Sequence, residues 1–348
     1  MLFFGADYEA EAQMSRRKIK QNNRRMRNFK GTKNVFKNGR AYSYFGFTAN
    51  SMNYFGDLAP LTRRTSTDFS FTKPAVGLNF AHRFGPFYTF RGGFTYGTLE
   101  GNDFVSQDPY GESSKYRYVR NLSFKNKIWE LSAVGVFDLF KNLNTYVSRQ
   151  KFTPYGFIGL ALYYHNPQGL VSPDSGLPEA GTWVDLQPLG TEGQFSDLPE
   201  TSKNHGLKPY NRVQLSVPVG IGMRYKLTDL MDFSMEIGYR YLFTDYIDDV
   251  SNNYVDLELL PSDLSRAMSD RSQEVNSSTG EPRDFEAINA TISPLLYTTP
   301  GGYTVYRGYG HEHWANTRGN KKDKDIYVVT TLRLTYIIGK TFRKAKFR

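Results

Sequence analysis

From Asn211 to Leu227 the residue type alternates without a break. Val213, Leu215, Val217, Val219, Ile221, Met223, Tyr225 and Leu227 take the odd positions, and Arg212, Gln214, Ser216, Pro218, Gly220, Gly222, Arg224 and Lys226 the even ones. After a link at Thr228 to Asp232 the alternation resumes, with Phe233, Met235, Ile237, Tyr239, Tyr241 and Phe243 against Ser234, Glu236, Gly238, Arg240 and Thr244. Period two puts successive side chains on opposite faces of a pleated strand, so the stretch predicts one antiparallel hairpin. Its arms run roughly 15 residues, against about 5 or 6 in ordinary globular strands. A tilted strand needs about 9 to 11 residues to cross hydrocarbon, and the remainder carries it through the headgroups. One face is apolar, as lipid requires. The other mixes Arg, Lys and Glu with Gly, as a narrow barrel filled by its own side chains requires.

A helical membrane protein is excluded, because no segment approaches the roughly 18 consecutive apolar residues that a spanning helix needs. A barrel is not excluded, since lumen residues dilute its apolar ones; the negative mean hydropathy, with 25 Tyr and 26 Phe, fits girdled strands and polar loops. The chain has no cysteine, which rules out disulfides, thiolate metal sites and thiol catalysis. Of 44 Lys+Arg and 34 Asp+Glu, residues 1–41 hold 11 and 3 and residues 340–348 hold 5 and none, leaving 28 and 31 for residues 42–339. The net charge of +10 therefore sits in the two tails.

Residues 1–13 read as the remnant of a secretion signal, with Ala10-Glu11-Ala12 before Gln13 as a small-x-small cleavage pattern. Residues 14–41 form a basic tail that includes Arg16, Arg17, Lys18, Lys20, Arg24, Arg25 and Arg27, and residues 340–348 a second one with Lys340, Arg343, Lys344, Lys346 and Arg348. Between them, residues 42–339 predict an all-β fold, an eight-stranded antiparallel transmembrane barrel. The strands are expected at about Tyr42 to Phe55, Phe71 to Phe84, Phe87 to Leu99, Leu122 to Phe137 and Phe152 to His165, then the two arms of the hairpin, and Asp325 to Gly339. The fifth is the least regular, being apolar on both faces. Eight is the smallest number that closes a barrel, and closure is needed because lipid cannot satisfy a free strand edge.

Links after strands two, four and six run about 2, 14 and 5 residues, whereas those after strands one, three, five and seven run about 15, 22, 44 and 77. Short periplasmic turns alternating with long external loops is the asymmetry of outer-membrane barrels, and it places both basic tails in the periplasm. The long external loops are 166–209, rich in Pro and Gly, and 248–324.

Inward parity assigns Arg91, Glu130, Arg212, Arg224, Glu236, Arg240 and Arg333 to the lumen, where an eight-stranded barrel has room for its own side chains only. They read as a packed ion-pair network rather than a pore. Asp57, Asp245, Asp248, Asp249 and Asp256, with Asp325, gather in sequence near the outer strand ends. Such a set could hold Ca²⁺, yet no loop has EF-hand spacing, and Asp also begins turns by capping backbone N–H groups; no metal and no cofactor is expected. His311-Glu312-His313 lies in the longest loop without an evident third ligand, and of five histidines only His82 and His165 fall on strands, so no catalytic pair is expected. The basic tails lack the interleaved aromatics of single-strand binders, and neither nucleic acid nor a small-molecule substrate is expected as a partner.

Four stretches carry a family resemblance: Asn53-Tyr54-Phe55-Gly56-Asp57-Leu58, Pro154-Tyr155-Gly156-Phe157-Ile158-Gly159-Leu160-Ala161 through Asn166-Pro167, the Gly-rich strand from Asn211, and Phe243-Thr244-Asp245-Tyr246-Ile247-Asp248-Asp249-Val250 with Tyr254. Over about Tyr42 to Gly339 the chain resembles the PorG family, small outer-membrane barrels of the Bacteroidetes type IX secretion system. The resemblance implies a non-catalytic scaffold lying in outer-membrane lipid, serving secretion and gliding through contact with a periplasmic ring of PorK/PorN-like proteins. The basic tails would supply a salt-sensitive contact with that ring. The other reading is a surface-binding or adhesion barrel working through its external loops.

Overall fold

A computed structural model describes residues 40–58, 72–106, 115–292 and 296–339. The signal remnant, the N-terminal basic tail up to residue 39 and the C-terminal tail, with all twelve tail residues named above, lie outside the described residues.

Eight long strands close on themselves: β1 (Tyr42–Phe55), β2 (Lys73–Arg83), β3 (Tyr88–Asn102), β4 (Ser123–Asp138), β5 (Phe152–Tyr164), β8 (Val213–Lys226), β9 (Met231–Leu242) and β12 (Ile326–Ile338). Every neighbouring pair is antiparallel, and β12 returns to β1 along Ser43↔Ile338 to Phe55↔Ile326, so the ring of eight strands is closed. The strand ends lie close to those expected. The hairpin link is shorter than its sequence suggested: Met231 and Asp232 already pair with Tyr336 and Thr335 of β12, and the turn closes on the Met231 carbonyl. The pairing of β5 with β8 skips the pair Gly159–Leu160 opposite Val217–Pro218, where proline has no N–H for the ladder.

Burial follows parity. Phe47, Val76, Leu78, Leu131, Leu160 and Ile221 are each more than half exposed on the outer wall, while the alternate residues are buried inside. A continuous apolar wall of this extent is foreign to a soluble surface and belongs against lipid tails. Two aromatic girdles bound it. Phe84, Phe87, Phe137, Phe152 and Tyr225 ring the end that carries the termini, and Trp129, Tyr164, Tyr241 and Phe243 ring the other. The fold is a transmembrane barrel of the outer-membrane type.

Beyond the second girdle the strands stop alternating. Met52, Asn53, Tyr54 and Phe55 are all buried, as are Ser123 and Phe124, because the long connections fold over them as a cap. Its elements are α1 (Asp103–Ser106), α2 (Lys115–Arg120), the hairpin β6 (Pro167–Leu170) and β7 (Trp183–Asp185), α3 (Asp263–Ser269), α4 (Phe285–Ile292) and the hairpin β10 (Leu296–Thr298) and β11 (Thr304–Tyr306). β6 continues the barrel sheet by pairing with the outer end of β4 at Lys125↔Gln168. The cap has its own apolar packing, with Tyr118, Val119, Tyr254, Ile288 and Tyr309 in one cluster and Leu198, Val255, Leu260 and Val305 in another.

Candidate functional site

The lumen holds arginine-rich ion-pair groups. Glu236 of β9 accepts from both Arg91 of β3 and Arg333 of β12, the second guanidinium nitrogens lying 3.1 and 2.9 Å from Oε2, and the Tyr155 hydroxyl donates to Oε1 at 2.6 Å. Glu130 of β4 accepts from Arg240 through two contacts of 3.1 Å and from the Tyr327 hydroxyl at 2.6 Å. Nearer the termini, Asp138 joins Arg83 at 2.5 Å and Arg224 at 3.3 Å. A carboxylate with two guanidinium partners leaves surplus positive charge, and aromatic faces take it up. Arg91 lies over the Phe157 ring at 5.2 Å and Arg224 over Tyr155 at 5.1 Å.

These contacts explain why β5 is apolar on both sides and β8 is rich in glycine. Tyr155 and Phe157 point inward, and a Cβ at Gly220 would lie 2.6 Å from the Phe157 ring and one at Gly222 2.8 Å from Tyr155. The space left among Thr48, Asn50, Arg91, Glu236, Arg240 and Arg333 is about 40 Å³, room for little more than a water.

The mouth at the terminal end is closed by the turn 139–151. Arg149 pairs with Asp232 at 2.6 Å and donates to the carbonyls of Tyr146, Asp229, Thr228 and Met231, while Tyr146 packs with Tyr42, Tyr44 and Ile337. Sequence parity missed this plug because Arg149 lies in a turn. Arg83 and Asp138 were within reach of the parity rule, at the last inward positions of β2 and β4.

One expected lumen residue is elsewhere. Arg212 precedes β8 and pairs with Asp185 of β7 at 3.5 Å, both partly exposed; its parity is inward, but at that height the strand has left the barrel for the cap.

At the cap's base the carboxylates form a web with hydroxyls and backbone. The Tyr54 hydroxyl lies 2.6 Å from Asp248 and 2.9 Å from Asp325; Asp325 also accepts from the Ile247 N–H, and Asp248 from Val250. Thus β1, β9 and β12 are tied at one point. Asp249 accepts from Thr191 at 2.6 Å and Tyr210 at 2.7 Å, and Asp57 accepts from the Asn320 N–H. Glu192, absent from the sequence reading, is a hub: it accepts from Ser251, Asn252 and Tyr246 and pairs with the buried Arg318 at 3.2 Å. Arg120 grips Asp103 with two nitrogens and donates to the carbonyls of Asp57 and Arg318.

Burial raises the carboxyls here: Asp245 to about 7, and Asp249 to about 6 against the pull of Arg318. Asp325 is raised well above the ordinary carboxylate range by burial and then by Asp248 and Asp245. Asp256 does not join them. It caps the short helical turn Leu257–Leu259 through the Glu258 N–H and accepts from Gly301, so nearness in sequence did not mean nearness in space. Among the described residues no three His, Asp or Glu side chains are placed to hold a metal ion.

His165 is buried, stacked on Tyr210 and bonded to the Asn211 carbonyl. His82 bonds Ser43 at 2.8 Å on the lipid-facing wall at the terminal end. His311 contacts Tyr297 at 3.1 Å on the cap surface, and His313 packs beside the exposed Trp314.

Residues 35–176 match the model of DUF6089, a domain of unknown function; that span runs from β1 through β6 and is less than half of the chain. No curated protein matches. Among solved structures the chain is similar to Ail, the attachment invasion locus protein of Yersinia pestis, at 8% identity over 86% of this chain and 97% of that one, with a TM-score of 0.32. It is similar to Neisserial surface protein A at 9% identity over 85% and 97%, TM-score 0.34, and to OprG from Pseudomonas aeruginosa at 8% over 86% and 96%, TM-score 0.34. Likeness at this level carries no argument about function, which rests on the chain's own residues.

Proposed function

We propose that this barrel is a non-enzymatic scaffold of a type IX protein secretion or gliding machinery, with its termini in the periplasm and a periplasmic ring of PorK/PorN-like proteins as partner. The observation that carries the reading is the sealed lumen. A barrel filled by Arg91, Glu236, Arg333, Glu130 and Arg240 and stoppered by Arg149 is no conduit, so its work falls to its two ends. The turns at the terminal end, 84–87, 139–151 and 227–230, expose Lys141 and Lys151 against Asp229, and the two basic tails continue in sequence from the strands that end there. An acidic ring surface would meet this face with a salt-sensitive attraction. The motifs shared with the PorG family support the same partner.

The test is a pull-down from detergent-solubilised outer membrane, comparing the full chain with one lacking residues 14–40. Ring proteins should co-purify with the full chain and fall away without the tail or at high salt. Equal recovery from both would move the contact to the short turns, and no ring protein from either would end the scaffold reading.

A second reading, a surface-binding barrel, is favoured by the order of the cap. Long loops serving only as connections have no need of a buried Glu192–Arg318 hub and separate apolar clusters. Surface binding that disappears on removing 166–209 or 248–324, with ring capture intact, would establish it.

A further inference from the structure

The lumen keeps one small cavity, and its lining is charged. About 40 Å³ lies among Thr48, Asn79, Arg91, Glu236, Arg240 and Arg333, against roughly 30 Å³ for one water in the liquid. The six residues come from β1, β2, β3, β9 and β12. Formal charge around the cavity does not balance. Arg91, Arg240 and Arg333 bring +3, while Glu236 and Glu130, the partner of Arg240, bring −2, which leaves +1. The Phe157 face under Arg91 attracts a cation but carries no charge to cancel it. An uncompensated charge away from bulk water is costly, and guanidinium does not escape the cost by losing its proton.

Donors are left over at the same place. The side-chain amide of Asn79 is buried, the residue being 7% exposed, and neither its nitrogen nor its oxygen has a hydrogen-bond partner among the described residues. Nor has the buried Nε–H of Arg333, whose two terminal nitrogens go to Glu236. The Thr48 hydroxyl accepts from Asn50 at 3.0 Å, which leaves its own proton to give. Buried polar groups are almost always paired, so surplus donors beside surplus positive charge describe an acceptor that is negative. A water would meet the donors and leave the charge.

We propose that the lumen cavity binds one chloride ion, held by the Arg333 Nε–H, the Asn79 amide and the Thr48 hydroxyl. Sulfate and phosphate are too large for the space and carry too much charge for a surplus of one. The ion completes the charge balance of the sealed lumen, and the inference is independent of what either end of the barrel contacts. Urea unfolding of the full chain in lipid vesicles tests it, with chloride exchanged for the bulkier gluconate at constant ionic strength. Once the site fills, the folding equilibrium constant should rise about tenfold with each tenfold rise in chloride, the slope for one ion bound to the folded state alone. Asn79→Asp puts a fixed carboxylate beside the cavity and should abolish that slope while leaving the basic tails as they are. Crystals of the full chain grown in bromide should show an anomalous peak between Arg333 and Asn79, a measurement that stands whether or not the variant folds. Equal stability in chloride and gluconate, a full slope in folded Asn79→Asp, or a water where bromide is expected would each overturn the proposal. A bromide peak without chloride dependence in solution would mean binding at crystal concentration only, and would overturn it too.

Discussion

The barrel and the cap bury charge in opposite ways. In the lumen arginine is in excess: Arg91 and Arg333 share Glu236, and Arg83 and Arg224 share Asp138. At the cap's base carboxylates are in excess, with Asp57, Asp248 and Asp325 held mainly by hydroxyls and backbone N–H groups and Asp245 buried beside them, its carboxyl raised by that burial. Guanidinium does not lose its proton in a protein, so the surplus lumen charge is permanent and must be met by carboxylates and ring faces. Carboxyl groups can shed theirs. The lumen is thus fixed across ordinary pH, and the cap's base is where pH acts.

The comparison breaks most sharply at Glu236. Glu236→Gln keeps the shape but leaves Arg91 and Arg333 facing each other without their counter-ion. Removing one member of a buried ion pair costs about 3–5 kcal/mol, chiefly through the stranded charge. Urea unfolding in lipid vesicles should register this as a global loss, barrel and cap together, because the triad joins β3, β9 and β12. A loss confined to the cap would refute the division drawn here.

Arg318→Ala should do the reverse. It removes the cation from Glu192 and Asp249 and the donor to the Asp249 carbonyl, at about 1.5–3 kcal/mol for hydrogen bonds to a charged group. The expected outcome is a cap cut by trypsin at lower temperature while the lipid-embedded strands keep their resistance. A smaller effect separates the two regions by pH. Asp245 and Asp249 hold protons to about 7 and about 6 in the folded chain, above the unfolded value of about 3.9. Folding therefore takes up protons between pH 4 and 7, and stability falls as pH rises through that window before levelling off. Amide exchange over 243–257 should be slower at pH 5 than at pH 8, after correction for intrinsic rates, with lumen-strand amides unaffected. Asp245→Asn should flatten the upper part of that response.

How much of this was legible depended on period. Where side chains alternate, one rule gave strand and face together, and it placed Arg91, Glu130, Glu236, Arg240 and Arg333 inside. The rule weakened on β5, where Tyr155 and Phe157 are inward aromatics chosen to lie under guanidinium groups, so hydrophobicity no longer distinguished lumen from lipid. It had nothing to say about Arg149, whose partners lie some 80 residues away across the mouth. Nor could it order the cap: Asp248 and Asp325 meet through Tyr54, whereas Asp256, close to Asp248 in sequence, belongs to another turn. Tyr54, Asp57, Ile247, Asp248 and Asp249, which lie in two of the four stretches singled out in the sequence, are the ones that fasten the loops to the strand ends. A motif in this position reports how the cap is anchored before it reports what the cap contacts.

Arg212 and Arg224 sharpen the boundary further, because the same inward parity on one strand gives them different fates. Arg224 is inside, bonded to Asp138 and lying over Tyr155. Arg212 stands above the membrane, 3.5 Å from Asp185, with 27% and 37% of the two side chains exposed. A pair so placed keeps much of its hydration, and water and salt screen it, so Arg212→Ala should cost about 0.2–1 kcal/mol. Arg224→Ala strips a buried carboxylate of one of its two cations and should cost several times more in the same urea titration. If the two variants proved equally costly, height along the strand would not govern what an inward charge is worth, and parity alone would be the rule.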